Sequence, residues 1–270
     1  MIAPLTTALA LALVLAPEAP PPVAASAEAA PAADGQTPKP ALSEPAPPPT
    51  PPEPERLDES APALIQRCVA AYGGERGQVR LARVRAEGRV TSILAPGEVG
   101  KYSRVFARSN RLRIEVQFPR AQAEIRVLDG PRGFRYGERA PAPVTAALQL
   151  QAARLDLPSL LKEWQTRADD RGEVIHEGVR VRVLGLELAQ GLLLEIGIEP
   201  QTGRIRYVHG VGKVGPRPLD LFTIYRDYRA VDGVLVAFRE EGWASGEPTG
   251  DVTLSKVEFP DDLGDDAFKP

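Results

Sequence analysis

The sequence predicts an α+β fold, mainly β: a highly curved antiparallel sheet, an unclosed half-barrel of about 10–11 strands, with helices covering its concave face. Three observations carry this reading. From residue 79 onward apolar and polar side chains alternate with a period of two, the mark of antiparallel strands with one apolar and one wet face. Short turn motifs separate the alternating runs, so neighbours in sequence are neighbours in the sheet. One mid-chain stretch, residues 144–166, breaks the alternation with helical spacing and supplies a cover for the open face.

Before the strands comes a helix. Ser60 is placed to cap it, Pro62 falls in its first turn, and Leu64, Ile65, Cys68, Val69 and Tyr72 form one apolar face. Gly73-Gly74 is expected to end it. Strands are expected over 82–93 and 99–108. Leu112, Ile114, Val116 and Phe118 alternate with charged or amide residues, as do Ala123, Ile125 and Val127, and a short strand covers 133–137. Val144 to Leu155 is apolar and reads as helical. A second helical turn follows, with Leu157, Leu160, Leu161 and Trp164 on one face, Asp156 as its cap and Pro158 just inside. The strand rhythm resumes at Val179, Val181 and Val183, then at Leu192, Leu194, Ile196 and Ile198, then at Ile205 and Tyr207. Further strands fit 220–229, 234–241 and 249–258, with Asp232-Gly233 as a hairpin turn.

Ahead of this domain, assigned to residues 56–270, lies a different composition. Fifteen of the 28 prolines fall in the first 55 residues, which carry one base, Lys39, against six acids. Leu5 to Leu15 is an apolar run too short to span a bilayer, and Ala25-Ser26-Ala27 fits a small-x-small cleavage site, so residues 1–27 read as a signal peptide for export to the periplasm. The run has no cysteine beside it, which excludes N-terminal lipidation. Residues 28–55 carry a single large apolar side chain, Leu42, and read as a Pro/Ala-rich disordered linker. Fully extended, it reaches roughly 85 Å at ~3.1 Å per residue.

Little in the sequence suggests chemistry. The net charge is −3, and the chain lacks the basic face expected of a nucleic-acid binder. A single cysteine, Cys68, excludes a disulfide framework, and its place on an apolar helix face reads as an inert packed thiol. His176 reads as a solvated surface residue in a turn. His209 has no neighbouring spacing that suggests a metal site. Gly210 to Gly215 lacks phosphate-loop spacing and reads as a loop. Asp169-Asp170 and the acids at 261, 262, 265 and 266 read as solvated turns and tail. The expectation is a protein without enzymatic activity, cofactor or metal.

Several short motifs then fall into a recognisable order: Ala70-Ala-Tyr-Gly-Gly74, Val84-Arg-Ala-Glu-Gly-Arg-Val90, Pro200-Gln-Thr-Gly203, Asp227-Tyr-Arg-Ala-Val-Asp-Gly233 and Asp265-Asp-Ala-Phe-Lys-Pro270. In order and spacing this resembles the LolA-like superfamily of periplasmic lipoprotein carriers and outer-membrane lipoprotein-sorting proteins, over about residues 58–270. The resemblance implies a curved sheet wrapped around an apolar cavity lidded by helices, and the carrying or sensing of acyl chains without chemistry. It also implies a functional arginine, for which Arg104, Arg111 and Arg113 lie in the right region. The Pro-rich extension is not part of the carriers' pattern.

On this reading Leu112, Ile114, Val116, Phe118, Ile125, Val127, Leu160, Leu161, Trp164, Leu192, Leu194 and Ile196 face the concave interior as a ligand cavity. A half-barrel of this many strands is too wide for its own side chains to fill. Burying a 16-carbon chain there contributes on the order of 10 kcal/mol before binding costs. The expected function is a soluble, monomeric periplasmic carrier of lipid or lipoprotein acyl chains during envelope trafficking. The alternative is an envelope sensor or adaptor that uses the same fold to bind an inner- or outer-membrane protein.

Overall fold

The computed structural model describes residues 60–108, 110–188, 191–215 and 218–270; the expected signal peptide and linker lie outside them. Helix α1 (Ala61–Ala71) begins as the sequence predicts, with Ser60 Oγ accepting from the Ala63 N–H at 3.4 Å and Leu64, Ile65 and Cys68 buried. Gly73 takes a left-handed conformation (φ 93°) after it. Helical structure does not end there, however. Helix α2 (Gly74–Leu81) follows at once and buries only Gly77 and Leu81. One large apolar anchor in eight residues leaves no period to read, and Val79 is 70% exposed.

The strands are β1 (Arg83–Ser92), β2 (Gly100–Ala107), β3 (Arg111–Gln117), β4 (Glu124–Asp129), β5 (Arg132–Arg135), β6 (Glu138–Arg139), β7 (Asp169–His176), β8 (Val179–Glu187), β9 (Leu192–Ile198), β10 (Ile205–Lys213), β11 (Pro218–Val231), β12 (Val234–Ala244) and β13 (Glu247–Glu258). They form one sheet in the order β6-β5-β4-β3-β2-β1-β13-β12-β11-β10-β9-β8-β7. Two antiparallel meanders are joined where β1 pairs with β13. The edges, β6 and β7, do not meet, so the half-barrel is open. Between β6 and β7 the chain crosses from one edge to the other, and that crossing is made by α3 (Ala142–Leu155) and α4 (Leu157–Glu163).

The curvature follows from what α3 touches. It packs against β3, β4 and β5 on one side and β9, β10 and β11 on the other. In the sheet order β4 and β9 are eight steps apart, roughly 38 Å if flat at ~4.8 Å per step. A 14-residue helix is only about 21 Å long. The sheet must curl around it. Accordingly none of residues 143–161 is exposed. Ala146, Leu150 and Ala153 face the cluster built by β8–β11 and α1, while Leu148 and Ala152 face the cluster built by β1–β4, β12 and β13. A helix apolar all round belongs in a core rather than on a surface.

Three expectations are corrected. Asp169–His176 is an edge strand, not a set of turns; its residues are mostly exposed and charged, as edges tend to be, so no alternation marks it. Gly210–Lys213 is strand rather than loop, paired with both β9 and β11. Asp156 does not cap α4 with its side chain. Its carbonyl accepts from the N–H groups of Ser159 and Leu160, while its carboxylate turns to Arg108.

That contact fixes the α3–α4 elbow. Arg108, just after β2, donates to Asp156 Oδ2 at 2.6 Å and Oδ1 at 3.0 Å, to Ser159 Oγ at 2.8 Å and to the Gln78 carbonyl at 2.8 Å. The elbow, α2 and β2 are thus held by one guanidinium. The α1 face is seated by Gly203 (φ 70°): a Cβ there would lie 2.6 Å from the Arg67 carbonyl oxygen, so only glycine lets the β9–β10 turn approach the helix.

Removing Arg108 leaves the buried Asp156 carboxylate without its partner. Arg108→Ala is expected to lower unfolding stability by about 2 kcal/mol, read as a lower urea midpoint at unchanged slope. An unchanged midpoint would instead assign the elbow's stability to the apolar contacts of Leu157 and Leu161.

Candidate functional site

Directly opposed residues in antiparallel strands share a face, so the register sorts the side chains. Across β2, β3 and β4 the pairs are Tyr102 with Val116, Arg104 with Ile114, Phe106 with Leu112, then Ile114 with Arg126 and Val116 with Glu124. These residues point to the concave side, with Leu128. On the other half Leu192, Leu194 and Ile196 stand beside Gly212, Gly210 and Val208. Helix α3 lies between the halves and turns Leu150, Gln151 and Arg154 toward the gap.

The gap is a cavity of about 200 Å³. Its apolar wall includes Val90, Tyr102, Ile114, Val116, Phe118, Leu194, Val208, Leu221 and Val252. Gly210 also lines it; a Cβ there would lie 3.2 Å from Leu150, so the glycine lets α3 approach β10. Ile93 and Leu94, in the β1–β2 connection, line the cavity and are 51% and 37% exposed, which places a mouth at that end. A second cavity of about 80 Å³ lies beneath the α3–α4 elbow, lined by Tyr72, Leu81, Leu155, Leu157, Tyr225 and Val257 among others. Arg154 and Glu240 border both.

Of the twelve residues expected to face the interior, Ile114, Val116, Phe118 and Leu194 line the larger cavity. Leu112, Leu161, Leu192 and Ile196 sit in closed packing, each at most 1% exposed. Leu160 and Trp164 lie at the margin of the α1–α4 core, with the Arg167 guanidinium 4.6 Å over the Trp164 ring. Ile125 and Val127 point away from the cavity. Their cross-strand partners are Glu115 and Arg113, on the outer face. The reason is that β4 turns Glu124 and Arg126 inward, so its rhythm is inverted and an apolar-inward rule selects the wrong face. Val127 is buried nonetheless. A 3₁₀ turn (Asp265–Phe268) packs against β3 and β4 on that side, with Phe268 beneath the Arg111 guanidinium, 4.4 Å away, and the Lys269 carbonyl accepting from Arg113 at 2.7 Å.

The inner wall therefore carries charge that the sequence reading missed. Arg104 and Glu240 are 5% and 4% exposed. Arg104 Nη1 donates to Glu240 Oε1 at 2.5 Å, Arg154 Nη2 to Glu240 Oε2 at 3.2 Å, and Arg154 Nη1 to Thr223 Oγ1 at 2.6 Å. Nearer the mouth-side wall, Glu124 accepts from Arg135 at 3.0 Å and lies 3.7 Å from Arg126. The signal was present: Arg104 stands between Tyr102 and Phe106, and Glu240 between Phe238 and Gly242, each where the alternation calls for an apolar residue. Of the three arginines the resemblance offered, only Arg104 faces inward; Arg111 and Arg113 are on the outer face.

Burial raises the Glu240 carboxyl pKa, but the charges of Arg104 and Arg154 and the Arg104 hydrogen bond outweigh it and hold the group below its ordinary value of 4.5. Burial pushes the Cys68 thiol up to about 12, which fits an unreactive core residue. His176 ends β7 rather than lying in a turn. Its ring packs 4.7 Å from Tyr207, and burial lowers its pKa below the usual imidazole value. His209 sits on the outer face between Glu195 (3.1 Å) and Asp220 (3.0 Å). Among the described residues no His, Cys, Asp and Glu group is arranged to hold a metal ion, and no helix is long and apolar enough to cross a membrane.

No family model and no curated protein matches this chain. Solved structures do show likenesses, at low identity. A LolA superfamily protein from Nitrosomonas europaea is similar over 72% of this chain and 97% of its own, at 12% identity and a TM-score of 0.46. A domain described as an outer membrane lipoprotein-sorting protein, from Vibrio parahaemolyticus, is similar over 76% and 94%, at 12% identity and 0.42. A DUF1329 family protein from Desulfovibrio piger is similar over 77% and 96%, at 12% identity and 0.41. At this identity and these TM-scores the likenesses transfer neither cargo nor partner.

A carboxylate whose folded pKa is depressed stabilises the fold fully above its unfolded value and loses that contribution as the pH falls through the folded value. The Glu240 contribution is thus complete at neutral pH and declines progressively below pH 4.5. Glu240→Gln strands two buried guanidinium groups and is expected to cost about 3 kcal/mol at pH 7. Urea midpoints taken from pH 7 down to 3 should fall less steeply in this variant than in wild type. Parallel acid declines would remove Glu240 as the source.

Proposed function

We propose that this domain is a periplasmic binding protein that holds an acyl chain of a lipid or lipoprotein in the cavity beneath α3 while the cargo moves through the cell envelope. The observation that carries this is the cavity itself: apolar walls from both halves of the sheet, closed over by an apolar helix, and opening at exposed Ile93 and Leu94. A methylene chain suits such a site because each buried CH₂ contributes ~0.8 kcal/mol without needing a hydrogen-bond partner. Export, expected from the apolar run at Leu5 to Leu15, supplies the compartment. The reading needs no reaction.

A second reading, docking of an envelope protein, is favoured by edge strand β7, where Val174 and Ile175 are 43% and 70% exposed. An unpaired edge with apolar side chains accepts an added strand. A stoichiometric partner that survives lipid removal and is lost in Ile175→Lys would support it over the carrier.

The carrier reading is tested by native mass spectrometry of detergent-free protein, followed by extraction of the adduct. Wild type, as purified or after exposure to lipid vesicles, should retain an acyl-bearing species. Leu221→Trp, which fills the cavity, should retain at least tenfold less with unchanged circular dichroism. Equal retention by both would place the lipid elsewhere, and no retention by wild type after vesicle exposure would overturn the reading.

A further inference from the structure

The cavity wall is apolar in area but carries charged side chains. Arg126, Arg154, Glu124 and Glu240 line the larger cavity; Arg135 pairs with Glu124, and Arg104 pairs with Glu240. The two arginines and two glutamates of the wall balance, and Arg104 and Arg135 behind them leave the cluster with two more arginines than glutamates. A carrier of purely apolar chains has no use for them, since each buried charge costs solvation that the chain cannot return.

The hydrogen bonding shows where the surplus lies. The Nε–H groups of Arg104, Arg126 and Arg154 are all buried and find no acceptor within the protein. Arg126 and Arg154, from β4 and α3, line the larger cavity, and Arg104, from β2, lines the smaller one together with Arg154. Each glutamate already accepts from an arginine; the buried oxygens of Gln151 and Tyr225 also lack partners, but they are uncharged and leave the surplus positive charge of the cluster uncompensated. Arginine meets carboxylate and phosphate with charge-assisted hydrogen bonds.

We propose that the cargo is an anionic amphiphile, whose carboxylate or phosphate is bound by Arg126 and Arg154, with Arg104 behind them, while its chain lies along the Ile114–Val116 and Leu194–Val208 walls. This rests on the acyl-chain reading and adds the class of headgroup. It also explains why β4 turns Glu124 and Arg126 inward against the apolar rhythm: the pair places a guanidinium at the wall, with Glu124 shared between Arg126 and Arg135.

The test compares three probes that share a 16-carbon chain: hexadecanol, palmitate and 1-palmitoyl lysophosphatidate, each titrated into the lipid-stripped protein by isothermal calorimetry. Wild type is expected to bind one or both anionic probes at least tenfold tighter than hexadecanol, and the tighter anion identifies carboxylate or phosphate as the head. Arg126→Gln and Arg154→Gln should each erase most of that preference, read within each variant as the ratio of anion to hexadecanol affinity. Both are chosen because each leaves the glutamate one arginine partner: Glu124 keeps Arg135 and Glu240 keeps Arg104. Hexadecanol binding as tightly as both anions would overturn the headgroup proposal and leave the acyl cavity standing. Failure of all three probes to bind wild type would overturn both.

Discussion

One contact set decides how the rest of this molecule is arranged: the pinning of α3 to the inside of the sheet through Glu240. The carboxylate takes Arg104 from β2 and Arg154 from α3, and Arg154 reaches on to Thr223 of β11. Strands β2 and β11 lie on opposite sides of the β1–β13 junction. A single buried ion cluster therefore ties the crossing helix to both meanders. Apolar contacts alone leave a helix that is greasy on all sides free to rotate or slide; the ion cluster fixes its azimuth, because a buried charge moved away from its partners costs several kcal/mol.

The open edges follow from the same crossing. The chain leaves the sheet at β6 and rejoins it at β7, and α3–α4 is the path between. With the helix occupying the concavity, the edges are kept apart and the barrel does not close. Edge β6 is cut to two residues. Edge β7 is guarded by charge, with Asp170 ion-paired to Arg182 and Arg171 to Glu195. The outer face is finished differently: the C-terminal turn lays Phe268 over β3 and β4, which is why a strand with inverted polarity still buries an apolar residue on its outward side.

Most of the strand order was legible because the inner surface of this sheet is largely apolar. Leu112, Ile114 and Val116, and Leu192, Leu194 and Ile196, announce their strands by period alone. Helix α3 was legible for the same reason, as a run with no polar stripe. What escaped reading is what the period does not report. Strand β7 has no buried face, and α2 has one large apolar anchor. The wall arginines and glutamates were invisible to an argument that treats polarity as outwardness; it missed Arg104, Arg126 and Glu240, and it sent Ile125 and Val127 to the wrong side. Asp156 reads as a cap because caps are local. Its actual partner, Arg108, is 48 residues away.

The cavity's size gives α3 a part in the proposed function. At about 200 Å³ it is smaller than the roughly 300–1,000 Å³ that encloses a drug-sized ligand. A full acyl chain therefore needs space that the helix now fills, and the contacts it would replace are those of Leu150 against Leu194 and Gly210. Exchange of one aliphatic surface for another is close to neutral per unit area, since both sides bury similar CH₂ groups. The ion cluster is different. Displacing Arg154 strands part of the Glu240 pairing unless something negative arrives to take up the guanidinium. An uncharged chain bears that cost unaided, whereas an anionic head supplies the acceptor that Arg154 gives up. The charge of the cargo and the movement of the helix are then one requirement, set by the same three residues that hold the fold together.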